Sequence, residues 1–154
     1  YEILDTPERK KFKIAFESIR DENPKKPKKT KILYHGTRSY CASCIVKTGF
    51  KLPKNNTNMF GDGIYFASVP QKSSDYAPDG HILICDVITG KKRKIYECDN
   101  YLDPDKKLNR KFVFGLLEKK YDSIYAPAGK STVSDEHIIF KPEYALPLYM
   151  IVVG

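Results

Sequence analysis

The run His81-Ile82-Leu83-Ile84-Cys85-Asp86-Val87-Ile88 is the strongest β pattern in the chain, and every other element has to be arranged around it. Its apolar and β-branched residues suit a buried strand, and alternation places His81, Leu83 and Cys85 together on one face as structural residues. Further β-patterned runs cover Ile32-Leu33-Tyr34, Lys94 to Glu97, Ile124-Tyr125, Glu136 to Phe140 and Leu148 to Val153. Helical spacing is confined to a few stretches. Phe12, Phe16 and Ile19 recur at helical intervals, giving a helix from about 7 to 20 that starts at Asp5-Thr6-Pro7-Glu8. Residues 39 to 48 suit a second helix stopped by Gly49, 70 to 77 a third and 105 to 119 a fourth. Dominant strands, with helices grouped early and in one late insertion, predict an α+β domain with largely antiparallel sheet. No GxGxxG follows a strand, which disfavours a Rossmann nucleotide site.

At 154 residues the chain has the length of one domain. It opens on Tyr1 with no apolar signal-like segment, which leads us to expect a piece of a longer protein without a signal peptide. No apolar run approaches the ~20 residues that span a bilayer. Net charge is +8, which favours acidic partners. Much of that excess sits in the Pro-broken basic run from Asn23 to Lys31, which reads as a solvated linker or, less commonly, a nucleic-acid or localisation patch. Cys41 and Cys44 form a CxxC, but Cys85 and Cys98 supply no second one. A metal site is therefore not expected, and the thiols read as small buried groups kept reduced inside the cell.

Three segments carry chemistry. Tyr34-His35-Gly36-Thr37 follows a short strand, and Gly36 is expected to permit a sharp exit from it. Gly61-Asp62-Gly63-Ile64-Tyr65-Phe66-Ala67 precedes Lys72-Ser73-Ser74-Asp75-Tyr76, where Ser73 and Tyr76 would stand one helical turn apart. The polar loop from Lys51 to Met59 lies between them in the position of a lid. Asp135-Glu136-His137-Ile138-Ile139 opens a strand, so alternation turns His137 away from Glu136. Taken singly, each has a bland alternative: a strand-capping His, core or surface tyrosines, a Glu beside solvent.

Together the three segments resemble the catalytic domain of the poly(ADP-ribose) polymerase family, over about residues 31 to 153, and the ending from Pro142 to Ile151 resembles that family's last core strand. The resemblance implies an ADP-ribosyltransferase fold of two largely antiparallel packed sheets with flanking helices. Residues 1–30 would form an N-terminal helix and basic linker, and 31–154 the catalytic domain. It also implies an NAD-dependent transferase of the H-Y-E type that moves ADP-ribose, as single units or polymer, to protein acceptors within the nucleus or cytoplasm. His35 would hold the adenosine-side ribose, Gly36 would pair with the nicotinamide carboxamide, and Thr37 would add a hydroxyl. Tyr65 and Tyr76 would sandwich the nicotinamide ring, with Ser73 donating to its carboxamide. Glu136 would be the catalytic carboxylate, with NAD+ as substrate and no metal. Lys72 matches a position near the acceptor side, with a solvated surface lysine as the other reading. The short stretch from Tyr125 to Asp135 offers less surface for a growing polymer than larger members have, although His35, Tyr65 and Glu136 are the combination of polymer-forming members. The alternatives are a non-catalytic module that binds NAD or ADP-ribose, and a transferase acting on nucleic-acid ends.

Overall fold

The computed structural model describes residues 7–22, 30–53, 60–75, 77–95, 121–129 and 134–152. The expected helix at 105 to 119 and Tyr76 lie outside these, as do most of the 51–59 loop and the start of the basic run.

Helix α1 spans Pro7–Glu22, with Pro7 in its first turn followed by Glu8. Phe12 is buried and its ring lies parallel to that of Phe16, centroids 6.4 Å apart, so these two members of the expected apolar stripe dock on the core. Helix α2 covers Ser39–Thr48, as its spacing predicts. Gly49 closes it at φ 81°, a left-handed conformation natural to glycine, and its N–H donates to the Ile45 carbonyl at 2.8 Å. Arg38 offers α2 no side-chain cap. The cap comes instead from Asp79, whose Oδ2 accepts from the Ser39 N–H at 2.8 Å, and that bond holds the Asp79 carboxyl below its ordinary pKa.

Helix α3 is only Pro70–Ser74, shorter than the expected 70 to 77. Proline at 78 disfavours helical backbone at Ala77, whose N–H turns to the Ser74 carbonyl at 3.1 Å, and the chain leaves through Gly80.

The strands are β1 (Thr30–Thr37), β2 (Ile64–Ala67), β3 (His81–Ile88), β4 (Lys92–Lys94), β5 (Ser123–Ala126), β6 (Glu136–Ile139) and β7 (Ala145–Val152), with a 3-10 turn at Pro142–Tyr144 before β7. Strand β7 begins three residues earlier than its apolar pattern suggests. It includes Pro147, opposite Cys85, where the ladder with β3 shifts register. A proline lacks the N–H that a regular ladder needs, and at the end of the sheet that loss is tolerated.

The seven strands among the described residues join in the order β4-β5-β6-β2-β1-β3-β7, antiparallel except for β4 with β5. The α+β class agrees with expectation, but the strands form one sheet rather than the two separate sheets expected. The seam between its halves explains the difference. Strand β1 pairs with β3 from Thr30↔Ile88 to Thr37↔His81, yet meets β2 at one position, Tyr34↔Ala67. Beyond that pair the two halves separate, and the groups of β1 that face β2 have no further strand ladder there. Two clusters of buried side chains pack on the sheet, and the larger crosses the seam, since Phe66 of β2 joins Leu33 of β1 and Leu83 of β3 in it. Leu33, Phe50, Phe66, Leu83 and Val87 belong to the larger, and Phe60, Ile95, Ile124 and Ile138 to the smaller. Burying each large apolar side chain contributes roughly 1.5–3 kcal/mol, so the larger cluster ties the two halves together across the seam.

Candidate active site

A cleft of about 980 Å³ opens where β1 and β2 part, lined by His35, Gly36, Thr37, Tyr65, Lys72, Ser73 and Glu136 among others. That volume is at the upper end for small-molecule sites. Sequence reasoning named each of those seven residues, and the fold brings them to one cavity.

His35 sits near the end of β1, with its ring edge-on to Phe50 (5.1 Å, 89°) and tilted against Phe66 (5.5 Å, 53°). Its Nδ1–H donates to the Tyr65 carbonyl at 2.8 Å. Burial pushes its pKa below the ordinary value and the bond to Tyr65 only partly offsets this, so the ring is neutral at pH 7. With Nδ1 committed as donor, Nε2 keeps a lone pair and can accept a hydroxyl.

Gly36 makes no sharp exit. It stays in β1, paired with Ile82. Its role is steric, because a Cβ there would overlap the carbonyl oxygen of Ser73 and lie 2.6 Å from the carbonyl carbon. Glycine lets α3 lie directly on β1, which places the buried Ser73 beside the open edge of that strand.

Tyr65 shares a sheet face with Glu136, since Tyr65 opposes Ile138 and Ala67 opposes Glu136. Its hydroxyl accepts from the Phe60 N–H at 2.7 Å and donates to the Gly61 carbonyl at 2.9 Å. Those bonds fold the Phe60–Gly63 turn back over the tyrosine. A Tyr65→Phe variant keeps the ring but strands the buried Phe60 N–H, so we expect it to lose about 1–3 kcal/mol in urea unfolding. Unchanged stability would mean that the turn is held by other contacts.

Glu136 is 7% exposed, which rules out the bland reading of a carboxylate beside solvent. Burial pushes its pKa above the ordinary range, the Lys72 ammonium draws it back down, and neighbouring Asp135 pushes it up. A carboxylate held short of water and facing one cation is poised to answer a positive charge developing in the cleft.

His137 turns to the other side of β6, as alternation predicts, and is completely buried. Sequence reasoning missed the polar cluster it belongs to. Asp135 Oδ2 accepts from the Ser68 hydroxyl at 2.8 Å and from the Tyr125 hydroxyl at 3.1 Å. The Ser68 hydrogen is thus committed, and His137 Nε2, 3.3 Å from Ser68 Oγ, is the donor of that pair. The Tyr125 ring lies against the imidazole at 4.7 Å. The only hint in the sequence was an acid and a histidine flanking Glu136.

Burial, with Lys92 adding to it, lowers the His137 pKa to about 4. The unfolded value is near 6.5, so the folded state takes up its proton later than the unfolded chain as pH falls. The stability that neutral His137 contributes is complete above pH 6.5 and is lost progressively down to about pH 4. A His137→Gln variant is expected to show a flatter decline than the parent over that window in denaturant midpoints taken at several pH values. Parallel curves would show that His137 does not drive it.

Cys41 and Cys44 differ from expectation, because both are exposed on α2 rather than buried. Among the described residues no three His, Cys, Asp or Glu side chains are grouped to hold a metal ion, and no helix is long and apolar enough to cross a membrane.

Residues 5–153 match the poly(ADP-ribose) polymerase catalytic domain family. The chain is 34% identical over 116 residues to poly(ADP-ribose) polymerase 2 of Caenorhabditis elegans, covering 71% of this chain and 20% of that protein. It is 32% identical over 158 residues to the poly(ADP-ribose) polymerase-like protein 100L of Invertebrate iridescent virus 6, covering 92% of this chain and 85% of the viral protein. A poly(ADP-ribose) polymerase 2 of Arabidopsis thaliana is 27% identical over 166 residues, with 26% of its length covered. The chain thus spans about a fifth to a quarter of the two cellular enzymes and most of the viral one. A match running nearly end to end, on a sheet whose seam gathers the motif residues into one cleft, makes this chain a member of the poly(ADP-ribose) polymerase catalytic domain family.

Proposed function

We propose that the cleft binds NAD+ and breaks its nicotinamide glycosidic bond, and that ADP-ribose is passed to protein acceptors. The observation that carries this is the burial of Glu136 in the same cavity as His35, Tyr65 and Ser73. In this reading the unprotonated Nε2 of His35 accepts from the adenosine-side ribose, with Thr37 adding a hydroxyl nearby. The Gly36 backbone offers the carboxamide a donor and an acceptor at fixed spacing, and Ser73 donates to its oxygen. The Tyr65 ring covers one face of the nicotinamide and Tyr76 the other, where an electron-rich face against a cationic ring contributes about 0.5–2 kcal/mol.

Departure of nicotinamide leaves an oxocarbenium-like centre at C1′ of the ribose. The Glu136 carboxylate, accepting from the ribose 2′-hydroxyl, stabilises that charge and helps to draw a proton from the incoming nucleophile. His35, Tyr65 and Glu136 together give the H-Y-E reading, and Lys72 on the wall beside Glu136 fits the acceptor side. Incubation with labelled NAD+ followed by a denaturing gel tests the proposal. Label on protein is expected, as a discrete band for single units or a smear for polymer. Binding of NAD+ in a calorimeter with neither labelled protein nor free nicotinamide would replace the transferase with a binding module.

A further inference from the structure

Cys41 and Cys44 stand three residues apart on α2, both are exposed, and both line the cleft that contains His35 and Glu136. Residues at that spacing share a helix face, with Cβ atoms about 5–6 Å apart. A disulfide needs roughly 3.5–4.5 Å, so closing the pair asks for a small local distortion of the first turns. That end of α2 is braced by a side chain from outside the helix. Its N-cap residue supplies no side-chain bond, and the Ser39 N–H is held from outside by Asp79. Cys85 is the internal contrast: it is fully buried in the larger core cluster and pushed well above the ordinary thiol pKa.

We propose that Cys41 and Cys44 form a thiol modification site in the cleft wall that takes small peroxides and is converted to a disulfide within α2. One thiolate attacks a peroxide oxygen, the O–O bond breaks, and the sulfur becomes a sulfenic acid while hydroxide leaves and is protonated to water. The second thiolate then attacks that sulfur, forming the S–S bond and expelling the oxygen as a second water. Overall two thiols lose two electrons and two protons, and one hydrogen peroxide is reduced to two waters. The consequence for ligand rests on the NAD reading of the cleft, since drawing the two sulfurs together reshapes the wall between Tyr40 and Gly49.

The test uses the full chain, reduced and then titrated with hydrogen peroxide. Trypsin cleaves after Arg38 and Lys47, so the peptide from Ser39 to Lys47 carries both thiols and no other cysteine. Mass spectrometry is expected to show that peptide losing two hydrogens while Cys85 stays a thiol. Cys41→Ser and Cys44→Ser are each expected to stop at a sulfenic acid captured by dimedone. Benzamide affinity is expected to fall about tenfold on oxidation and to return with dithiothreitol. An unchanged peptide, or a cross-link from it to Cys85 or Cys98, would overturn the site. A disulfide formed with no change in benzamide affinity would overturn its effect on the cleft. Failure of the untreated chain to bind benzamide or NAD+ would count against the NAD reading instead, and the peptide masses would still decide the site.

Discussion

Replacing Glu136 with glutamine is expected to reduce nicotinamide release from NAD+ by about 10²–10³-fold, the scale on which aimed electrostatic stabilisation of a developing charge contributes to catalysis. Glutamine keeps the shape of the side chain and removes only its charge. Benzamide binding should therefore survive, which separates loss of chemistry from loss of the pocket. Stability should move in the opposite direction to activity. Burial raises the Glu136 pKa above its unfolded value, so at neutral pH the folded protein holds a carboxylate that it would rather see protonated. Relieving that burden is expected to raise the melting temperature of the Glu136→Gln variant. The pH profile follows from the same geometry. Activity needs the ionised form, so its acidic limb should lie above that of an ordinary carboxylate. Lys72→Met, which deletes the cation that draws the pKa down, should shift that limb to higher pH. Turnover by Glu136→Gln equal to the parent's would remove the carboxylate from the mechanism.

The sequence revealed the composition of the site better than its construction. His35, Gly36, Tyr65, Ser73 and Glu136 were legible because short motifs of fixed spacing carry them, and the β pattern of His81 to Ile88 correctly predicted the strand beside which β1 runs. Helix α2 was legible to the residue because its spacing and Gly49 agree. Apart from the short reach of α3, what failed depended on contacts between distant segments. The short reach of α3 follows from Pro78, a local signal overlooked in favour of the helical offset between Ser73 and Tyr76. The cap on α2 comes from Asp79, forty positions on from the Ser39 it binds, and the Ser68, Tyr125, Asp135 and His137 cluster joins three strand ends. No pattern in one segment reports a partner in another. Two sheets were expected where one exists, because strand pairing across a seam rests on a single register pair that no alternation encodes.

Gly36→Ala is expected to cost about 1–3 kcal/mol of stability and to lower benzamide affinity by tenfold or more, although it adds one methyl group. The backbone of Gly36 is extended and lies within the β1–β3 ladder, so an alanine there pays no conformational penalty and the damage is steric alone. The new Cβ would overlap the Ser73 carbonyl oxygen, a backbone atom that cannot rotate aside as a flexible side chain could. One of the two elements must then move. Strand β1 is held along its whole length by β3, whereas α3 is five residues long, so α3 yields. Its displacement carries the buried Ser73, and with it Lys72, away from the edge of β1 where the amide is proposed to bind. Denaturant midpoints and calorimetric titration with benzamide measure the two effects on one preparation. The smaller contact at the same spot supplies the control: Ser73→Ala leaves the backbone in place and should lower affinity by the worth of one hydrogen bond, about 0.5–1.5 kcal/mol. Parent-like stability and benzamide affinity in Gly36→Ala would mean that α3 does not lie on β1 tightly enough to shape the cleft.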